Sequence, residues 1–215
     1  MGAVTVARPA EEKQTRAPRP TPDSVLRAAR RSFLATGTIE MRSLARDLGI
    51  GRATLYRWQG GREVLLSEVI VSLGLANLRR AEADVDAPPG AERLCLVHDL
   101  HLRRISDSQA MRTFIRTEPE VASRVLLDGA GTVHGGVTRA LADFIERLEA
   151  ESSWRAPLEP ATLAAAISRL SEAFLYSDLI AHDKPDIDTP DFVLRMILGV
   201  PLAGQQKRSR KRVAR

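Results

Sequence analysis

The run Met41-Arg42-Ser43-Leu44-Ala45-Arg46-Asp47-Leu48-Gly49-Ile50-Gly51-Arg52-Ala53-Thr54-Leu55-Tyr56-Arg57-Trp58 decides the fold. It has the pattern of two short helices joined by a tight turn. Ala45 is small enough for a second helix to cross closely above it. Gly49 supplies the positive φ that a sharp turn needs. Ile50 and Leu55 are apolar and lock the two helices together. What remains is arginine, threonine and tyrosine, side chains suited to a DNA groove. A reading helix enters the major groove with its early residues near the base edges. Arg52, Ala53, Thr54 and Arg57 are therefore expected at the bases, where arginine pairs bidentately with guanine. Arg42, Tyr56 and Arg62 are expected at phosphates, and Trp58 completes the candidate DNA-binding set.

Working outward, Thr21-Pro22-Asp23-Ser24 opens a helix with Asp23 or Ser24 as its cap, and Val25, Ala28, Ala29, Phe33 and Leu34 follow at helical spacing. Gly37 stops it. Short helices are expected over 41–48 and 52–58, and a long apolar-periodic one from 62 to 83. Asp86–Gly90 is a Pro-rich joint. Beyond it the spacing predicts helices over 90–107, 109–116, 119–127, 132–151, 160–182 and 190–199. No segment alternates with period two for long enough to build a sheet. The fold class is all-α: a three-helix N-terminal helix-turn-helix domain joined by a long helix to a larger helical C-terminal domain. The expected boundaries are 1–22 for a disordered basic arm, 23–70 for the helix-turn-helix domain, 71–202 for the helical body and 203–215 for a basic disordered tail.

The chain has 215 residues and a formal net charge of +5, but the charge is unevenly placed. Residues 23–62 carry eight arginines against three acids, residues 63–206 fourteen basic residues against twenty-two acids, and residues 207–215 six basic residues and no acid. A basic block on an acidic body points to a polyanion partner for the block. The lone cysteine, Cys95, allows no internal disulfide and suits a reducing cytoplasm, the expected location. Its apolar setting marks it as a buried small residue rather than a redox switch. No apolar run approaches the roughly 20 residues that span a bilayer, so no membrane partner is expected.

The run Ala53-Thr54-Leu55-Tyr56-Arg57-Trp58, followed by Gly60-Gly61-Arg62-Glu63-Val64-Leu65-Leu66, resembles the DNA-binding domain of TetR-type regulators. There a threonine-leucine-tyrosine run in the third helix precedes a short turn, a basic residue and a long fourth helix. The Tyr-Arg-Trp variant, with Glu172–Ala181 and Pro185–Asp188, is similar to the QsdR-type branch, associated with control of lactone quorum-signal degradation. The link from Gly37 to Met41 is short for the family. Ile39 or Glu40 replaces a capping threonine, and an acid at Glu40 sits near the expected phosphates. Gln59 stands where an aromatic residue is common.

The resemblance implies a DNA-binding regulator, a repressor, whose operator binding a small apolar or amphipathic ligand modulates. It also implies a homodimer formed through residues 160–200. The sequence supports that use with two apolar stripes, Leu163, Ala166, Ile167, Leu170, Phe174 and Ile180, then Val193, Met196, Ile197 and Val200. A two-fold dimer predicts a near-palindromic double-stranded operator. Candidate ligand contacts are His98, Leu102, Phe114, Val137, Leu141, Leu170, Phe174 and Asp178. Trp154 is a candidate lid or dimer edge. His98 and His101 lack further ligands nearby, so no metal and no cofactor are expected. The alternatives are a small hydrolase-like enzyme and a ligand-independent architectural DNA-binding protein. The chain has no Gly-x-Ser-x-Gly elbow, no phosphate loop and no His-Glu-x-x-His pair, and Asp178 and His182 have no evident nucleophile beside them. An acidic, apolar body of this size exceeds what an architectural clamp needs.

Overall fold

The computed structural model describes residues 20–127, 131–180 and 185–202, the side chains of 177–180 excepted. The arm expected over 1–22, apart from its last three residues, and the tail over 203–215, apart from none of its length, lie outside the described residues, as does His182. The described residues form ten helices: α1 Pro22–Thr36, α2 Met41–Asp47, α3 Arg52–Gln59, α4 Arg62–Asp84, α5 Ala91–Ser106, α6 Gln109–Thr117, α7 Pro119–Leu127, α8 Thr132–Ala150, α9 Pro160–Ile180 and α10 Asp188–Leu198. There is no strand among them, and the fold is all-α. No helix is long and apolar enough to cross a membrane.

Helix ends follow local chemistry. The cap of α1 is Thr21, not Asp23 or Ser24. Thr21 Oγ1 accepts from Ser24 N at 3.3 Å, and Ser24 Oγ accepts from Thr21 N at 2.8 Å. Pro22 fits the first turn because that position needs no N–H donor. Gly37 ends α1 at φ 74°, its N–H donating to Phe33 O. A Cβ there would lie 2.7 Å from Thr113 Cβ and 2.9 Å from Ala110 O, so glycine serves both the left-handed turn and the close approach of α6. At Gly49, φ is 64° and space is open, so the turn alone demands glycine. Glu40 caps α2: its carboxylate accepts from Arg42 N at 2.8 Å and Ser43 N at 2.6 Å. The acid is thus engaged with the positive helix end. Bonds to Ser43 and to the Arg42 amide hold its pKa below the usual value. Gln59 is buried and donates from Nε2 to Pro22 O at 3.5 Å, which closes the turn after α3 onto the start of α1.

The apolar residues gather in two clusters. One joins Val25, Ala29 and Phe33 of α1, Leu44, Ala45 and Leu55 of the helix-turn-helix and Leu65, Leu66 and Val69 of α4 to Met111, Phe114 and Ile115 of α6 and Leu175 of α9. The other joins Leu78 and Ala81 of α4 to α5, α8, α9 and Leu194 of α10. Helices α4 and α8 meet through reciprocal small contacts. A Cβ on Gly136 would sit 2.9 Å from Val71, and one on Gly74 would sit 3.7 Å from Val137.

The joint after α4 is tied by Arg93, which donates to the carbonyls of Glu82, Val85 and Ala87 at 2.6–2.8 Å. The carbonyls of Glu82 and Val85 are orphans of the helix end, and that of Ala87 belongs to the joint itself. Trp154 packs over Gly90 beside the second cluster, so it seals the joint rather than standing apart as a lid. The start of α10 precedes the expected residue 190. The Asp186 carboxylate accepts from the N–H groups of Asp188 and Thr189, which lets the helix begin before Pro190. Arg195, buried in α10, anchors that helix through Asp191 at 2.8 Å and Glu92 of α5 at 3.3 Å.

Candidate nucleic-acid interface and internal cavity

The helix-turn-helix positions its polar face by burying the other. Leu44, Ala45 and Leu55 are buried. The turn closes through Gly49 N to Arg46 O and Ile50 N to Ala45 O, both at 3.0 Å. That leaves Arg42, Arg52, Ala53, Tyr56 and Arg57 exposed. Thr54 is half-buried, and Trp58 is half-buried against the first cluster. Arg52 and Arg57 form no ion pair or hydrogen bond among the described residues, so both guanidinium groups are available on one short helix.

Arg62 is placed differently from the phosphate contact expected of it. Its Nε donates to Ile39 O at 2.7 Å, and its two terminal nitrogens grip Glu118 at 2.7 and 2.6 Å. Thr38 Oγ1 accepts from Arg62 at 2.9 Å and donates to Glu118 Oε1 at 2.8 Å. The Arg62 guanidinium, with help from Thr38, holds the Glu118 carboxyl below its ordinary pKa. Next to it, Glu63 pairs with Arg124 of α7 at 2.8 Å. Sequence reasoning missed this clamp because its halves lie 56 residues apart. The start of α4 is thus tied to the α6–α7 corner, and the α1–α2 turn is tied with it.

Between the two core clusters lies a cavity of about 640 Å³. Its walls come from α1, α4, α5, α6, α8 and α9, with Leu73, Leu78, Leu102, Val137, Leu141 and Ile167 among the apolar lining. Of the residues expected there, His98, Leu102, Val137 and Leu141 line it. Phe114 does not: it is buried in the first cluster, edge-on to Phe33 at 5.8 Å. Leu170 and Phe174 are also absent from the lining, because α9 turns Ser168, Ser171, Glu172, Leu175 and Tyr176 inward instead. The Asp178 side chain lies outside the described residues.

The polar groups of the cavity are mostly neutral. His98 Nε2 lies 2.8 Å from Ser171 Oγ, and burial pushes its pKa down to about 4. His101 Nδ1 lies 2.9 Å from the Asn77 amide, and burial, with His98 nearby, takes it to about 3. Both rings are uncharged near neutral pH. Burial and the neighbouring Glu172 raise the pKa of Tyr176, so its phenol keeps its proton. Two acids line it: Asp84, bonded to Arg104 at 2.6 Å, and Glu172, 2.7 Å from His134 Nδ1. Asn77, Ser168, Ser171, Glu172 and Tyr176 were not singled out in the sequence. For the four on α9 the signal is a polar stripe at three- and four-residue spacing along an otherwise apolar helix. Cys95 is buried elsewhere, and desolvation raises its thiol to about 12, which leaves it inert.

A family model described as the tetracyclin repressor-like C-terminal domain matches residues 89–199. The chain belongs to the TetR family of transcriptional regulators. Within that family it is similar to the transcriptional repressor QsdR of R. erythropolis, at 26% identity and a TM-score of 0.78, over 84% of this chain and 95% of that one. That likeness supports the QsdR-type branch. FadR of Bacillus subtilis, solved in complex with stearoyl-CoA, is 14% identical with a TM-score of 0.49, over 83% of this chain and 98% of that one. FadR of Bacillus halodurans, a fatty acid degradation regulator, is 13% identical with a TM-score of 0.49, over 85% and 100%. No curated protein matches the chain.

Proposed function

We propose that this chain is a homodimeric transcriptional repressor whose operator affinity is set by a small apolar or amphipathic molecule held in the cavity. The observation that carries this reading is the position of α6. Ser108, the N-cap of α6, and Met111 within it line the cavity. The same helix presses Thr113 against Gly37, and its far end presents Glu118 to Arg62. A ligand that displaces α6 therefore acts on the turn that carries the helix-turn-helix. Such a ligand shifts DNA binding only by its differential affinity for the two conformers. No enzyme activity is part of this reading.

At the DNA, Arg52, Ala53, Thr54 and Arg57 read base edges, while Arg42 and Tyr56 hold phosphates and Trp58 backs the reading helix. Arg62 reaches a phosphate only in a conformer that releases Glu118. The test is a mobility-shift titration on operator and on random duplex. The Arg57→Ala variant should lose operator affinity about 5- to 100-fold while random binding falls much less. Tyr56→Phe should weaken both alike. Equal loss on both duplexes for Arg57→Ala refutes its base-reading role. Wild-type protein that binds no operator-containing duplex more tightly than random DNA refutes the regulator itself.

A further inference from the structure

The cavity reaches solvent where Arg80 and Asp84, both exposed, line it. Arg30 of α1 and Arg104 of α5 line it as well, and both are half-buried. Asp84 answers one of these three guanidinium groups, accepting from Arg104 Nη2 at 2.6 Å. Arg30 donates to Ser72 Oγ at 2.7 Å and, like Arg80, forms no ion pair among the described residues. Glu172, the other acid of the lining, is engaged separately, with His134 at 2.7 Å and Arg169 at 3.7 Å. Arg104 Nη1 is buried and has no hydrogen-bond partner among the described residues. A buried donor left unpaired on a charged group carries a desolvation cost that an incoming acceptor relieves. The charge of Arg104 also acts on His101, one turn earlier on α5, where it helps keep the ring neutral.

We propose that the cavity takes an amphiphile with a carboxylate head, and that Arg104 of α5 and Arg30 of α1 hold that head near the solvent-facing end. Arg104 Nη1 supplies its free N–H to the carboxylate, and Arg30 adds a charge that no acid of the protein offsets. The chain of the ligand lies along Leu102, Val137, Leu141 and Ile167. A neutral carbonyl could accept from Nη1 too, but a hydrogen bond between charged groups is roughly twice as strong. The surplus of arginine over acid adds attraction where water screens only in part. Because Arg30 belongs to α1, the head touches the DNA-reading domain directly. The ligand then joins that domain to the body at a point separate from the packing of α6 on Gly37. The inference rests on the reading of the cavity as a ligand site.

The test compares decanoate with decanamide, which share a chain and differ in the head, by calorimetry on the full chain at pH 7.5. Decanoate should bind at least about tenfold more tightly, a difference of about 1.4 kcal/mol. Arg104→Gln, which keeps a donor for Asp84, should erase most of that preference and leave decanamide within about twofold of its wild-type affinity. Arg104→Lys keeps the charge without the fork and should retain part of the preference. Arg30→Gln, which still reaches Ser72, should weaken decanoate by about threefold or more and leave decanamide unchanged. Decanamide binding as well as or better than decanoate overturns the inference and leaves the ligand-site reading intact. An equal loss of both compounds in Arg104→Gln overturns it as well. Where that variant does not fold, an unchanged decanoate affinity in Arg30→Gln does the same. Wild-type protein that binds neither compound overturns it together with the reading of the cavity.

Discussion

Two histidines show how a single side chain couples the cavity to stability. His98 and His101 are buried, and their folded pKa values fall to about 4 and 3 from an ordinary 6.5. Below pH 6.5 the unfolded chain takes up a proton at each site that the folded chain refuses until the lower value. Stability is therefore full above pH 6.5 and falls as pH drops towards 4. Between pH 7 and pH 5 each histidine should cost about 1–2 kcal/mol. Urea unfolding at the two pH values measures the slope. His98→Gln keeps a polar group for Ser171 without a titrating ring, and it should flatten part of that slope. A variant with the same pH dependence as wild type would show that His98 takes its proton in the folded state.

At the scale of the element, α6 joins the cavity to the reading head. Its packing on Gly37 leaves no room for a Cβ, and the Arg62–Glu118 grip fixes its C-terminal end. A charge-assisted, two-pronged bond of this kind contributes about 1.5–3 kcal/mol. Glu118→Gln keeps the shape and removes the charge. It should raise amide exchange about tenfold at Thr38, Ile39 and the start of α2 while leaving α10 unchanged, as hydrogen-exchange measurements can resolve. Uniform change across the chain, or none, would show that the grip does not hold the turn. The elements themselves were largely legible in the sequence, because glycine stops, caps and helical periodicity are local signals. The helix-turn-helix and its exposed arginines were legible for the same reason. The cavity was only half legible. Helix α9 is apolar on two sides, so periodicity alone does not say which side faces the cavity; Leu170 and Phe174, expected there, are not in its lining, while Ser171 and Tyr176 are. The clamp at Arg62 was not legible at all, since nothing local ties Arg62 to Glu118.

The whole molecule leaves apolar surface that one copy does not cover. Leu163 and Ile167 of the stripe expected at the dimer face turn into the core, whereas Ala166 is exposed and Leu170 and Phe174 are half-buried. On α10, Phe192 is 47% exposed and Met196 63%, with Ile197 also outward. Helices α9 and α10 pack on each other, so these side chains belong to one end of the body. Scattered apolar residues on a surface need no explanation, but six on two adjoining helices favour burial against a partner. A second copy related by a two-fold axis would cover them with the same residues and set two reading helices on one face of DNA. A stable pairing of this sort needs roughly 1,000 Å² or more of buried surface, so the two helices must both take part. Replacing Phe192 and Met196 together with Glu places like charges against their symmetry mates at the heart of that face. Sedimentation at micromolar concentration should then show monomer where the parent chain shows dimer. Because both positions are exposed in the single chain, its helical circular-dichroism signal should not change. Operator affinity should fall by at least about a hundredfold, because the two half-sites no longer bind as one unit. A double variant that still sediments as a dimer would place the contact on another face of the molecule. One that becomes monomeric yet holds the operator at full strength would show that a single reading head suffices.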